Sequence, residues 1–433
     1  MQATTECGVG TIGPAHGGFM RLVPLFMLAA CSDPARMVGD VPADGASVEE
    51  VPVLAHFASA SPDVNTVASL FDADLSFDTA PDPTAWLAAE HAAHAALPEA
   101  SGQELSVLTF NTGLLDRGYL LSRVSVPFME ERAAVMGDEV FGAGHDILFL
   151  QEVWEVEDAE ALAAAGEAAG YTVIHPRERQ EQRETGLVVA VRGELIGGEL
   201  FSEVVQYDAQ WGAENFPGPN LKRGYLHVSF DLADDDVTVH LFDTHLTPFF
   251  DKWRTRNLQV RELGLAVADV SSEDLVLLGG DFNAGWYYAE NTWTDATGDD
   301  HEGWWRNTTM PALLSYYGGL SDLANLAELV PEKERGDAVP TDVDTDWLTE
   351  AYGDGSLCDT ASHFTATDCN SLYWQNYAAT EFPARMDLLF VRDGTGRLRA
   401  LSRERAFVEK LDFGGAGEFE LSDHYGQVVS VTF

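Results

Sequence analysis

Asp281 and Asn283 close the run Leu275-Val276-Leu277-Leu278-Gly279-Gly280-Asp281-Phe282-Asn283. Its apolar part reads as a buried strand. Residues two apart at the end of an extended segment point the same way, so this acid and amide can reach one ligand. The paired glycines are expected to turn the chain sharply and to let another group approach. Other apolar runs end the same way: Leu105 to Asn111, Asp146 to Glu152, Val237 onward to His245, and the segments carrying Asp387 and Asp423-His424. Hydrolysis of a phosphodiester needs charge stabilisation on phosphoryl oxygens, an activated water and help for the leaving oxygen. Carboxylate and amide oxygens suit Mg²⁺, with Mn²⁺ or Co²⁺ as substitutes. A histidine beside an acid can move a proton near neutral pH. The set Asn111, Glu152, His245, Asp281, Asn283, Asp387, Asp423 and His424 contains each part.

These groups need strands to position them. Residues 105–111, 146–154, 171–174, 185–191, 225–230, 237–243, 275–281, 385–391 and 421–429 read as strands, and 127–142, 159–169 and 254–268 as helices. The short spacings between several strands predict antiparallel pairing rather than a pure βαβ repeat. Between Asn283 and Pro383 lies a long irregular stretch rich in aromatic and acidic residues. Its Asp342, Asp344 and Asp346 alternate as a calcium loop would, but Trp347 stands where such a loop needs glycine and no glutamate closes it, so it reads as a solvated acidic run.

The chain has 433 residues, 45% of them hydrophobic, enough for a large core, and a formal charge of −46. That charge counts against a surface gripping nucleic acid through clustered Lys and Arg. Met20 to Cys31 has a basic residue, an apolar run too short to span a bilayer, and Leu28-Ala29-Ala30-Cys31 at its end. The last four residues resemble a bacterial lipobox, which implies cleavage before Cys31, lipidation of its thiol, and Met20 as the start. The expected organisation is a signal peptide over 1–31, a mostly irregular tether over 32–102 with one Ala-rich helix from Thr84 to Leu97, and a catalytic domain over 103–433. Export to the bacterial envelope, as a membrane-anchored and monomeric lipoprotein, permits disulfides, and Cys358 with Cys369 are expected to pair.

The order Asn111, Gln151-Glu152, His245, Gly280-Asp281-Phe282-Asn283, Arg385-Met386-Asp387, Ser422-Asp423-His424 resembles the endonuclease/exonuclease/phosphatase superfamily across residues 105–433. The resemblance implies a DNase I-like four-layer α/β/β/α sandwich of two packed mixed sheets, with the site where strand ends of both sheets meet. It implies Glu152 as principal metal ligand, Asn111 beside it and Asp423 completing the metal environment. Asp281 would orient or deprotonate the attacking water, Asn283 would hold that water or a phosphate oxygen, and His245 would donate to a phosphate oxygen. His424 would be the acid–base histidine, oriented by Asp387. The chain departs from several DNA-repair members in having Gly113 where they carry a second acid, which weakens the case for a second metal of their kind.

Leu150-Gln151-Glu152-Val153-Trp154, Thr185-Gly186-Leu187-Val188-Val189, Thr244-His245-Leu246 and Asn370-Ser371-Leu372-Tyr373 are similar to the neutral sphingomyelinase branch. This implies a phospholipid substrate at a membrane surface. Phe249-Phe250, Trp286-Tyr287-Tyr288 and Trp304-Trp305 could face lipid or pack beneath long loops. An exported nuclease, an inositol-phosphate-type phosphatase and a binding-only lipoprotein remain the competing readings.

Overall fold

The apolar runs pair into two six-stranded sheets. The structure is a computed structural model that describes residues 83–98, 102–119, 122–210, 222–248, 253–284, 314–315, 317–329, 372 and 385–433. The strands are β1 (Glu104–Asn111), β2 (Asp116–Tyr119), β3 (Ser122–Ser125), β4 (Ile147–Gln151), β5 (Tyr171–Ile174), β6 (Val188–Arg192), β7 (Phe201–Gln206) and β8 (Gly224–Asp231). They continue with β9 (Thr238–His245), β10 (Leu275–Asp281), β11 (Ser321–Asp322), β12 (Asp387–Asp393), β13 (Arg399–Ala406), β14 (Leu411–Asp412), β15 (Glu418–Phe419) and β16 (Gly426–Thr432). Helices are α1 (Pro83–Ala95), α2 (Met129–Gly142), α3 (Val156–Ala168), α4 (Arg179–Thr185), α5 (Trp253–Ala268) and α6 (Leu323–Ala327).

One sheet runs β13-β16-β1-β4-β6-β5 and the other β11-β12-β10-β9-β8-β7, with β2-β3 and β14-β15 as small hairpins. Alternation along each strand sends side chains to two cores. Val107, Phe149, Leu241, Leu277 and Leu389 fill the space between the sheets. Leu108, Phe110, Leu148 and Leu150 face Met136, Val140 and Leu162 of α2 and α3. Val276, Leu278 and Phe390 face Val260, Leu263 and Val267 of α5. The layers are therefore helix, sheet, sheet, helix, the expected sandwich.

Each sheet has one parallel pair, β1 with β4 and β9 with β10, and antiparallel neighbours elsewhere. Parallel neighbours end at the same edge, which brings two strand ends together without a hairpin between them. In register, Asn111 lies opposite Gln151 and His245 opposite Asp281. The antiparallel neighbour β12 begins where β10 stops, with Asp387 opposite Asp281.

Several details differ from the sequence reading. The glycines before Asp281 do not turn the chain, because β10 continues through them. Their role is close approach. A Cβ on Gly279 would lie 2.4 Å from the Phe149 ring of the facing sheet, and one on Gly280 2.2 Å from the Thr244 carbonyl. Thr185 ends helix α4, so the following strand starts only at Val188. Leu421 to Tyr425 form the bend that precedes β16, which starts at Gly426. The edge strands β7 and β13 carry too many polar residues to announce themselves by hydropathy.

The Ala-rich helix, α1, does not stand off in a tether. Leu87 is fully buried, and Asn325 Nδ2 donates to its carbonyl at 3.0 Å. Ser321 Oγ donates to Glu90 Oε1 at 3.0 Å, and the Ala400 N–H donates to His94 Nε2 at 3.0 Å. Burial pushes the Glu90 carboxyl up to about 8, against the pull of the Ser321 bond. The packed body therefore begins before residue 103. Cys31, Cys358, Cys369, the Asp342–Asp346 run and the clusters at 249–250, 286–288 and 304–305 lie outside the described residues. Among the described residues no helix is long and apolar enough to cross a membrane.

Candidate active site

All eight residues singled out from the sequence lie at one edge of the sandwich. Asn111 ends β1 and Glu152 follows β4, both from one sheet; His245 and Asp281 end β9 and β10, and Asp387 opens β12, all from the other. Asp423 and His424 sit in the bend before β16, not on the strand itself. Two of the eight hold left-handed backbone: Glu152 at φ 62° and Asn283 at φ 48°. Such conformations cost a non-glycine residue about 1–3 kcal/mol and persist only where the surroundings enforce them. The turn carrying Glu152 is held from α4 and its C-cap, since Gln182 Nε2 donates to the Val153 carbonyl at 2.5 Å and the Val153 N–H donates to the carbonyl of Gly186 at 2.9 Å.

Asp281 is the centre of the hydrogen bonding. Its Oδ1 accepts the Asn283 N–H at 2.8 Å, and its Oδ2 accepts Asn111 Nδ2 at 2.9 Å. His245 Nε2 lies 3.3 Å from Oδ2 and 3.9 Å from Glu152 Oε1. Asn283 Nδ2 donates to the Leu246 carbonyl at 3.1 Å and lies 3.4 Å from Asp281 Oδ2, so its amide ties the end of β9 to the turn after β10. Burial would raise the Asp281 carboxyl, but His245, His424 and the Asn283 N–H outweigh it and hold the group well below the usual carboxylate range. His245 is pushed down to about 4 by burial and by Arg223, and is neutral at pH 7.

His424 is the opposite case. Its Nδ1–H donates to Asp387 Oδ2 at 2.8 Å. Burial disfavours its charge, yet Asp387, Asp281 and Asp423 together hold it well above the ordinary histidine value, as imidazolium. Ligand atoms of Asp281, Asp387 and His424 lie within 4.8 Å of one another. The two histidine–aspartate pairs therefore share one small space.

The oxygen donors proposed for a metal are Glu152, Asp423 and the Asn111 amide. The amide is held in place, its Oδ1 accepting the Gly113 N–H at 2.9 Å while its nitrogen serves Asp281. Burial and the neighbouring Asp423 push Glu152 up to about 7. Two carboxylates crowded in a buried place are what a hard divalent cation would neutralise, so this set fits Mg²⁺. The Asp281–Asp387–His424 cluster suits one less well, since the His424 Nδ1–H is already given to Asp387. Gly113 is more than a missing acid. It sits at φ 59°, and a Cβ there would lie 2.5 Å from Asp423 Oδ1 and 2.9 Å from Ser422 Oγ.

Supporting residues escaped the sequence reading. Arg132, fully buried, donates to the carbonyls of Thr112 (2.9 Å), Gly113 (2.6 Å), Leu421 (3.2 Å) and Pro127 (3.0 Å). It thereby ties the loop after Asn111 to the bend that carries Asp423. Its signal was available: Arg132, Met136 and Val140 share one buried stripe of α2 at spacing four. Gln151 Nε2 donates across the sheets to Asp243 Oδ1 at 2.7 Å, and burial raises that carboxyl well above its ordinary value. Ser422 Oγ donates to the Asn111 carbonyl at 2.7 Å. Arg385 pairs with Asp322. Gln427, with its amide set to suit both neighbours, donates to the Asp387 carbonyl (3.1 Å) and accepts from Arg385 (3.3 Å).

An α/β/β/α sandwich with acids, amides and two histidines at its sheet ends defines a phosphoesterase-type protein of the DNase I-like fold. The Endonuclease/Exonuclease/phosphatase family pattern matches residues 108–424, and the chain belongs to that family, whose members are in general metal-dependent phosphoesterases and nucleases. No curated protein matches it in sequence. Among solved structures it is similar to D. rerio TDP2 complexed with single strand DNA product, at 16% identity and TM-score 0.49, over 76% of this chain and 100% of that one. It is also similar to sphingomyelinase C from Streptomyces griseocarneus, at 18% identity and TM-score 0.47, over 76% and 99%. A family protein from Bacteroides thetaiotaomicron stands at 16% and 0.45, over 77% and 99%.

Proposed function

We propose that this chain is a Mg²⁺-dependent phosphodiesterase that hydrolyses the headgroup ester of a phospholipid, of sphingomyelinase C type. The observation that carries the reaction class is the meeting of Glu152, Asp423 and Asn111 with two histidine–aspartate pairs of opposite proton state. A bound divalent cation supplies charge stabilisation at a phosphoryl oxygen. Asp281, held ionised far down the pH scale, would orient the attacking water and take up its proton as the new phosphorus–oxygen bond forms and the bond to the leaving oxygen breaks. His245, neutral, offers its Nε2–H to the phosphoryl group. His424, charged and fixed through Nδ1, is set to protonate the leaving oxygen from its other nitrogen.

The substrate class is supported by three features. The formal charge of −46 disfavours a polyanion, Gly113, in left-handed backbone at φ 59°, stands in place of a second acid, and Leu150 to Trp154 follows the sphingomyelinase-like pattern. Export and anchoring through a lipidated Cys31 belong to the same proposal. The test compares release of phosphocholine from sphingomyelin vesicles with nicking of plasmid DNA, each with Mg²⁺ and with chelator. Mg²⁺-dependent release with intact plasmid is expected. Nicking without release would reject the lipid substrate, and no turnover of either would reject the enzyme reading.

A further inference from the structure

Gln151 ends β4 in one sheet, and Asp243 lies in β9 of the other. Two-residue alternation carries the inner face from Phe149 to Gln151 and from Leu241 to Asp243, so both polar side chains enter the layer between the sheets. Both are fully buried. Gln151 Nε2 donates to Asp243 Oδ1 at 2.7 Å and to Thr109 Oγ1 at 3.3 Å, which uses both of its N–H groups. The two oxygens left on the joined groups, Gln151 Oε1 and Asp243 Oδ2, are buried with no hydrogen-bond partner among the described residues. No charged side chain flanks the carboxyl within its sheet, where its register neighbours are Gly279 on β10 and Leu226 on β8. The Val188 and Thr244 N–H groups favour its charged form, but burial opposes that form more strongly. Tyr207, whose hydroxyl is bonded to Thr244 Oγ1 at 2.7 Å, is the ionisable side chain that Asp243 influences, and burial keeps that phenol neutral.

An ionised Asp243 would be a buried charge with no cation beside it, joined to an amide whose own oxygen lacks a donor. One proton on Oδ2 removes both defects, because a carboxylic acid and a primary amide each offer a donor beside an acceptor. We propose that Asp243 is a positioning residue: as a neutral acid it returns a hydrogen bond from Oδ2–H to Gln151 Oε1, and the closed ring fixes the gap between the sheets beneath the active site. The ring sits where spacing matters. Glu152 follows Gln151, His245 comes two residues after Asp243, and Glu152 Oε1 lies 3.9 Å from His245 Nε2. The Gln151 carbonyl accepts the Thr112 N–H at 3.0 Å and Thr112 Oγ1 at 2.8 Å, so the loop after Asn111 is tied to the same residue. The sheets already meet closely in this layer, since a Cβ on Gly279 would lie 2.4 Å from the Phe149 ring. The ring itself needs no reaction; its effect on turnover rests on the phosphodiesterase reading.

Asp243→Asn and Asp243→Leu in the full chain test this. Asparagine puts an amide in place of the acid and can make the same two bonds; leucine has similar bulk and makes neither. In infrared difference spectra at pH 7, wild type minus Asp243→Asn should show the carbonyl band of a protonated carboxyl, and the subtraction cancels that of Glu90. In denaturant melts, an acid kept neutral by folding contributes stability that is full below about 3.9, its unfolded value, and is lost as pH rises toward its folded value. Asp243→Asn should lose that slope and match or exceed wild type at pH 7. With Mg²⁺ present its kcat should stay within about threefold, whereas Asp243→Leu should lose about 10–100-fold in kcat, the cost of misplaced groups. A missing acid band, or an Asp243→Asn protein less stable than wild type at pH 7, overturns the neutral acid. A folded Asp243→Leu with wild-type kcat overturns the positioning role; should leucine prevent folding, a kcat of Asp243→Asn lowered as far as about tenfold overturns it instead. Wild type that shows the band yet hydrolyses no diester rejects the phosphodiesterase reading and leaves the ring standing.

Discussion

His245 with Asp281 and His424 with Asp387 are the same two residue types at similar depth, yet one imidazole is neutral and the other charged. In the first pair, Asp281 already accepts Asn111 and Asn283, and His245 has Arg223 nearby, so a proton on His245 gains little. In the second, His424 faces Asp387, Asp281 and Asp423 together. The number of competing donors and acids, more than burial, decides where the proton rests. One scaffold thereby holds a neutral donor and a charged acid within a few ångströms.

The harshest way to break the comparison is to remove the charged member. His424→Ala should cost about 10²–10⁴-fold in kcat, the usual worth of a general acid. Asp387→Asn should fall in the same direction, and the double variant should lose less than the product of the single losses. Steady-state turnover of a phosphodiester checks this; losses that simply multiply would mean that the pair does not act as a unit. His245→Gln should be milder, about 10–100-fold in kcat/KM, because it removes a neutral hydrogen bond rather than a proton donor.

Stability against pH sharpens the contrast further. His245, lowered to about 4, stays neutral when folded while the unfolded chain takes up a proton near 6.5, so folding weakens as pH falls from 6.5 toward 4. His424, raised, contributes stability that is full below 6.5 and is lost as pH rises through its folded value. Denaturant melts across pH should therefore lose their acid-side slope in His245→Gln and their alkaline-side slope in His424→Gln. The same slope in both variants would refute the opposed proton states. The smallest effect belongs to a carboxyl remote from both pairs. Glu90, raised to about 8, costs stability as pH climbs from about 4.5 to 8, and Glu90→Gln should flatten that fall by about 1–2 kcal/mol. A melt series of that variant indistinguishable from wild type would show that Glu90 stays solvated.

The eight polar residues were legible because each lies at or just beyond the end of an apolar run, where packing does not ask for a charge. What could not be read was how those ends meet. That Asn111 and Glu152 share one edge with His245 and Asp281 follows from two parallel strand pairs, and parallel pairing leaves no turn signature in sequence. His424 read as part of the final strand because Leu421 and Tyr425 are apolar, although both pack from a bend. Edge strands β7 and β13 were hidden by their exposure, and the docking of α1 by its composition, since an alanine-rich helix looks alike in a tether and on a surface. Arg223 carries no pattern at all, because its neighbours Trp154 and Gln210 are distant in sequence.

Glu152 and Asn283 hold backbone angles that glycine would adopt without penalty. Seen across generations, those two positions set opposite pressures on one chain. On the metal-ligand role proposed for Glu152, a lineage still selected for turnover must keep a glutamate where the backbone angle suits glycine. A lineage released from that selection gains stability by its first substitution there, and loses the carboxylate in the same step. Glycine at position 152 in a descendant of this chain would therefore mark a protein that kept its architecture and abandoned its chemistry.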